Sequence, residues 1–177
     1  FYGQNSLSIE IGGQHIVVDP FITGNDLSKD KVDIMSLKAD YILLTHAHQD
    51  HILDAEAIAK NTGATIVSNY EIANHYEEKG FDVHPMNHGG SWDFEFGKVK
   101  YVNAIHTSSF PDGSYDNFTM GIDDAIIASN FVECDKILGV HYDTFGYIEI
   151  DHDEAKRKFY EAGKDLMLLD IGESISL

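Results

Sequence analysis

Cysteine is almost absent: Cys134 is the only one in 177 residues. No internal disulfide can form, which suits a reducing cytoplasm, and a structural thiolate metal site is excluded. Cys134 itself reads as a small buried hydrophobe. Proline is scarce as well, with three in all. No Pro/Gly/Ser-rich linker, short-period repeat or charge block divides the sequence, so it reads as one domain, 1–177, long enough for a sizeable core. Positive charge is the other deficit: 12 basic residues face 30 acidic ones, for a formal net charge of −18. Such a field repels phosphate backbones, so nucleic acid is not an expected partner. No apolar run approaches the length of a membrane span and no secretory signal is visible, so no membrane partner is expected either.

Apolar and aromatic residues are plentiful, at 43% and 11%, which excludes a disordered chain. Histidine is plentiful too, and it is clustered. Tyr41 to His51 reads Tyr-Ile-Leu-Leu-Thr-His-Ala-His-Gln-Asp-His, an apolar run followed by His46, His48, Asp50 and His51. If the strand persists through Thr45, side chains two apart share a face, so His46 and His48 present their imidazoles side by side. Past the strand end, Asp50 and His51 can turn toward a second ion beside the first. Imidazole and carboxylate ligands favour zinc, manganese, iron or nickel over calcium.

Alternation over Ser6–Ile11 and Gln14–Asp19 around Gly12-Gly13 predicts a hairpin with a primed turn. Asp19, just before Pro20, reads as a turn cap, with a role beside the metals as the alternative. Residues 24–38 form a polar loop. Helical spacing then runs from Ile52 toward Gly63, a strand over Thr65–Ser68, a helix over Glu71–Lys79 and a strand over Phe81–His84. Ser91–Phe96 and Val99–Ile105 predict a second hairpin turning at Gly97-Lys98, which delivers His106 at its end. Beyond it come a helix over Asp123–Val132, a buried strand over Lys136–Val140 ending at His141, a helix over Asp153–Ala162 and a strand over Leu166–Asp170. Strands alternating with helices specify an α/β layered fold. His15, His75 and His152 read as surface or packing residues, and His84 and His88 as rim residues rather than ligands.

The order His46-x-His48-x-Asp50-His51, then His106 and His141 at successive strand ends, resembles the metallo-β-lactamase superfamily. Val18-Asp19-Pro20-Phe21, Pro85-Met86-Asn87, Asp116-Asn117-Phe118-Thr119-Met120-Gly121 and His141-Tyr142 resemble its small prokaryotic hydrolases related to ascorbate-6-phosphate lactonase. The resemblance implies an αββα sandwich with its site at one edge of two facing sheets. It implies two divalent ions, one held by His46, His48 and His106 and the other by Asp50, His51 and His141. One departure stands out. The family supplies an aspartate bridging both ions from a His-x-Gly-Asp-like segment, and here Ser109 to Tyr115 runs almost directly into Asp116. A segment is therefore expected to be missing between Tyr115 and Asp116, because loss of central strands from the folded protein would expose apolar edges and surrender core. Neither Asp112 nor Asp116 is placed by the motifs to substitute.

The expected function is hydrolysis of a small ester, lactone or phosphoester by a water activated between two metals, zinc or manganese first and iron or nickel next. Asp50 is the expected catalytic residue, orienting water and passing a proton to the leaving group, since no Ser-His-Asp arrangement is apparent. Asn117, Tyr142 and Phe145 are candidate substrate contacts. The alternatives are phosphodiesterase or nuclease chemistry on the same metals, and a non-catalytic metal-binding protein if the bridging aspartate is truly absent. The expected partner is a small molecule, and a homo-oligomer is compatible with the sequence without being dictated by it.

Overall fold

The computed structural model describes residues 1–102, 120–146 and 148–176. They divide into two compact units, Phe1–Asn103 with Asp170–Leu177, and Ala104–Leu169.

The first unit is built on five strands, β1 (Leu7–Ile11), β2 (Gln14–Val18), β3 (Tyr41–Leu43), β4 (Thr65–Asn69) and β5 (Val83–Met86), hydrogen-bonded in that order. β1 and β2 are antiparallel around Gly12 and Gly13, whose φ of 60° and 83° are those of a type I′ turn. From β2 to β5 the pairing is parallel. Parallel strands need crossovers: residues 19–40, with a single 3-10 turn at Ile34–Ser36, link β2 to β3, α1 (Gln49–Ile52) and α2 (Ala55–Thr62) link β3 to β4, and α3 (Tyr70–Glu77) links β4 to β5. β3 is central, buried on one face and half-buried on the other, in keeping with its unbroken apolar run. Ile42 and Leu44 pack with Ala55, Ile58, Ala59, Ile66, Ile72 and Tyr76 on the helical side. Tyr41 and Leu43 face the other way, with Val67, Met86 and Tyr101.

That second face is covered by a hairpin, β6 (Ser91–Phe94) with β7 (Gly97–Lys100). Its register pairs Phe94 with Gly97, so the turn is Glu95-Phe96 and not Gly97-Lys98. Aromatic packing accounts for the shift: Phe96 stacks on Phe94 at 5.1 Å between centroids and meets Tyr41 edge-on at 4.9 Å. His84 lies in the same cluster, 5.0 Å from Trp92 and 4.9 Å from Phe94, as a packing residue.

The second unit contains α4 (Ile122–Phe131), β8 (Lys136–Leu138), α5 (His152–Glu161) and β9 (Asp165–Met167). β8 and β9 pair in parallel, with α5 as the crossover between them. Asp151 caps α5, accepting from the N–H groups of Asp153 and Glu154 at 3.0 Å each. Ala155 and Phe159 are its buried positions. β8 is half-buried rather than buried, as a strand in a two-stranded sheet must be. Cys134 also departs from expectation. It is exposed, between Glu133 and Asp135 in the polar link from α4 to β8, where the Lys164 ammonium holds the Cys134 carbonyl and the Asp135 carboxylate.

Candidate metal centre

β3 stops at Leu43, three residues before the first histidine. The end of the strand is held from two sides: Ser68 Oγ donates to the Leu44 carbonyl at 2.8 Å and the Tyr101 hydroxyl donates to it at 2.5 Å. Burial of that hydroxyl pushes the Tyr101 pKa up to about 12, so it stays a donor. Thr45 then leaves the sheet, and the histidines follow in a loop that ends at α1.

His46 and His48 face each other although no strand carries them, with His46 Nε2 2.9 Å from His48 Nδ1. The expected side-by-side pair is therefore present, on loop geometry instead of strand periodicity. Asp50 and His51 sit in the first turn of α1, where a helix N-terminus favours negative charge. The His46 and His51 rings lie 4.0 Å apart between centroids, and His51 Nε2 is 3.4 Å from Asp50 Oδ2. Four sequence-predicted residues thus converge within the first unit.

Asp19 organises them, which corrects its reading as a turn cap. It is fully buried, with a left-handed φ of 40°. Its carboxylate accepts from Thr45 N–H at 2.7 Å, Thr45 Oγ1 at 2.5 Å and Asn5 Nδ2 at 2.5 Å, and holds His51 Nδ1 at 2.8 Å. A carboxylate on one ring nitrogen fixes the imidazole so that the other is presented to a ligand, the usual orientation device at histidine metal sites. Burial alone would lower the His51 pKa, but hydrogen bonds to Asp19 and Asp50 and their charges outweigh it and raise it to about 9. The donor set fits a divalent cation: two imidazole nitrogens at cis-ligand spacing, a third, buried imidazole oriented by Asp19, and an adjacent carboxylate.

A second buried carboxylate acts on the same segment. Asp54 Oδ2 accepts from the N–H groups of Ile22 at 2.6 Å and Thr23 at 2.9 Å, and Oδ1 accepts from Thr23 Oγ1 at 2.5 Å. It pins the loop after Asp19 to the helical segment carrying Asp50 and His51. Neither Asp19 nor Asp54 belongs to the histidine cluster in sequence; the signals for Asp19 were its place before Pro20 at a strand end and the Val18-Asp19-Pro20-Phe21 motif of the family resemblance.

His141 lies in the second unit, just beyond β8, with a left-handed φ of 63°. Asp143, also left-handed at 56°, closes the loop that follows. Its N–H donates to the Ile148 carbonyl, its Oδ1 accepts from Ile150 N–H, and its Oδ2 pairs with His152 Nε2 at 2.6 Å. His152 is thus a surface residue with an acidic partner. The Tyr142 hydroxyl donates to the Leu169 carbonyl at 2.9 Å, and Phe145 is 43% exposed. His106 and Asn117, like Asp112, Asp116 and the Tyr115–Asp116 junction, lie outside the described residues.

A mixed sheet whose central parallel strand hands over to a loop of paired histidines, and then to an Asp-His helix turn backed by a buried carboxylate, defines a metallohydrolase-type α/β protein. The family model of the metallo-beta-lactamase superfamily matches residues 1–151. The chain belongs to that superfamily. A UPF0173 metal-dependent hydrolase of Christiangramia forsetii is 70% identical to it over 222 residues, covering 100% of this chain and 98% of the relative. Its counterpart in Flavobacterium johnsoniae is 57% identical over 222 residues, with the same coverage. Among solved structures, Igni18, a metallo hydrolase of the archaeon Ignicoccus hospitalis, superposes with a TM-score of 0.84 at 27% identity, covering 99% of this chain and 95% of that chain. An alignment of 222 residues against a chain of 177 leaves at least 45 residues of the C. forsetii relative without a counterpart here, between its matched ends.

Proposed function

We propose that this single-domain chain is a metal-dependent hydrolase of a small ester, lactone or phosphoester, acting in a reducing cytoplasm. The observation that carries the proposal is the convergence of His46, His48, Asp50 and His51, with His51 oriented by buried Asp19. In this reading His46, His48 and His106 hold one divalent ion and Asp50, His51 and His141 a second, with zinc or manganese ahead of iron or nickel. Such ions supply Lewis acidity and acidify water for attack on a carbonyl or phosphoryl centre. Asp50 orients the attacking water and returns a proton to the leaving group, and Asn117, Tyr142 and Phe145 line the substrate's approach. The net charge of −18 favours a small substrate over a long polyanion, which sets phosphodiesterase or nuclease action second.

Chelation followed by metal add-back, assayed on lactones, esters and phosphodiesters, tests the proposal. Activity is expected to vanish with the metal and return with it, and His48→Ala to lose at least 100-fold, on the order of what loss of a metal-site group costs. Full activity after complete chelation, or a wild-type rate in His48→Ala, would rule it out. The rival is a metal-binding protein without turnover, the reading that applies if the bridging aspartate is truly absent. Metal content separates the two: two ions per chain support the hydrolase, and one or none supports the rival.

A further inference from the structure

The turn Tyr2–Ser6 lies far from the histidine cluster in sequence, yet three consecutive side chains of it address the metal-site acids. The turn is closed by Tyr2 N–H donating to the Ser6 carbonyl at 2.8 Å and Ser6 N–H donating to the Gly3 carbonyl at 2.9 Å. Gly3 has φ of 91°, and a Cβ there would lie 2.7 Å from Asn25 Nδ2 and 3.0 Å from Ile171 Cδ1, so only glycine fits. Gln4 follows in the left-handed region at 52° and is fully buried. A non-glycine residue holds such a conformation only where its surroundings over-determine it, and such positions gather at functional sites.

The surroundings here are the site itself. Gln4 Nε2 donates to Asp50 Oδ2 at 2.9 Å, Asn5 Nδ2 donates to Asp19 Oδ2 at 2.5 Å, and Ser6 Oγ donates to the Asp19 carbonyl at 2.7 Å. Because an ionised carboxylate only accepts, the Gln4 amide must present its nitrogen, which fixes the amide's orientation. We infer that Gln4 is the positioning residue for Asp50: its buried amide sets the rotation of the Asp50 carboxylate, as Asp19 sets the ring of His51. The side-chain type follows from the task. A lysine or arginine would neutralise the carboxylate the cation needs, a glutamate would repel it, and an apolar residue would leave the rotation of Asp50 unset. This inference rests on the proposal that Asp50 is a metal ligand.

Cobalt(II) binding tests it without a substrate, since the visible absorption of the ion reports affinity and coordination together. Metal-stripped wild-type protein, Gln4→Met and Gln4→Glu are titrated with cobalt(II), with circular dichroism and thermal midpoints recorded in parallel. Gln4→Met keeps the length and bulk of the side chain and removes the amide, whereas Gln4→Glu keeps an acceptor oxygen and removes the donor. The expected result is cobalt binding at least about 10-fold weaker than wild type with an altered visible band, on the scale of a lost ligand-orienting contact, while the circular dichroism is unchanged. If Gln4→Met fails to fold, Gln4→Glu decides by the same two readouts. Wild-type affinity and an unaltered band in the folded variant overturn the inference. No cobalt binding by the wild-type protein overturns the metal-site reading along with it, so failure of the two is told apart by which protein fails.

Discussion

Asp19 carries a heavy burden for a single side chain, because four groups converge on it and it is fully buried. Removing one member of a buried ion pair leaves the other uncompensated at a cost of about 3–5 kcal/mol. Asp19→Ala is therefore expected to lower the unfolding free energy of the metal-free protein by about that amount in urea titration, whereas Asp19→Asn, which keeps one acceptor oxygen, costs about half as much. The same pair gives the metal-free protein a pH dependence. His51 has its pKa raised from 6.5 to about 9, so the folded form holds a proton that the unfolded form releases earlier. The stability it contributes is fully present below pH 6.5 and is lost as the pH rises through 9. Metal-free protein should lose a few kcal/mol between about pH 6 and pH 10, since each tenfold gain in proton affinity on folding is worth about 1.4 kcal/mol, and His51→Gln should flatten that slope.

At the scale of elements, the loop after β2 and the helical segment after β3 behave as one piece because Asp54 joins them. Asp54 stands immediately before α2 yet makes no side-chain bond to that helix's own N–H groups. Its acceptors go to Ile22 and Thr23 instead. Asp54→Ala would strand the buried Ile22 N–H and the part-buried Thr23 N–H at a cost of about 3 kcal/mol and release the loop behind Asp19; denaturant unfolding and metal affinity should both fall. Asp54→Asn, retaining one oxygen, should fall less in both. Elements of this kind were legible where the signal is local. The Gly12-Gly13 turn, the apolar run of β3 and the capped helices follow from neighbours in sequence, whereas the facing of His46 and His48, expected from strand alternation, is met on loop geometry. The turn at Glu95-Phe96 was not legible, since glycine marks Gly97 while the stacking of Phe96 on Phe94 and Tyr41 selects the register. Asp54 and Gln4 were hidden, and the metal-site role of Asp19 was no more than an alternative, for a related reason. Asp19 meets Asn5 and Thr45 at 14 and 26 positions, Asp54 meets Ile22 and Thr23 at 32 and 31, and Gln4 meets Asp50 at 46, and a lone polar residue carries no periodicity that would reveal such partners.

Across the whole chain, the formal charge of −18 is a standing repulsion that dissolved salt screens and bound cations cancel locally. Among the described residues no helix is long and apolar enough to cross a membrane. A cation that binds the folded state alone stabilises it by RT ln(1 + [L]/Kd), about 4 kcal/mol at a thousandfold excess over Kd. With an unfolding entropy of about 2 cal/mol/K per residue, that corresponds to a thermal midpoint about 10 °C higher for a chain of this length. Zinc or manganese added to stripped protein should therefore raise the midpoint in calorimetry, and magnesium at the same concentration should do much less, since a histidine-rich set suits it poorly. Salt separates this specific effect from the general field. Raising ionic strength should stabilise the metal-free protein by screening its acidic surface, and so narrow the gap between stripped and loaded forms without closing it. A gap that closes completely in high salt would mean that the cations act on diffuse surface charge, and that His46, His48 and His51 do not hold them.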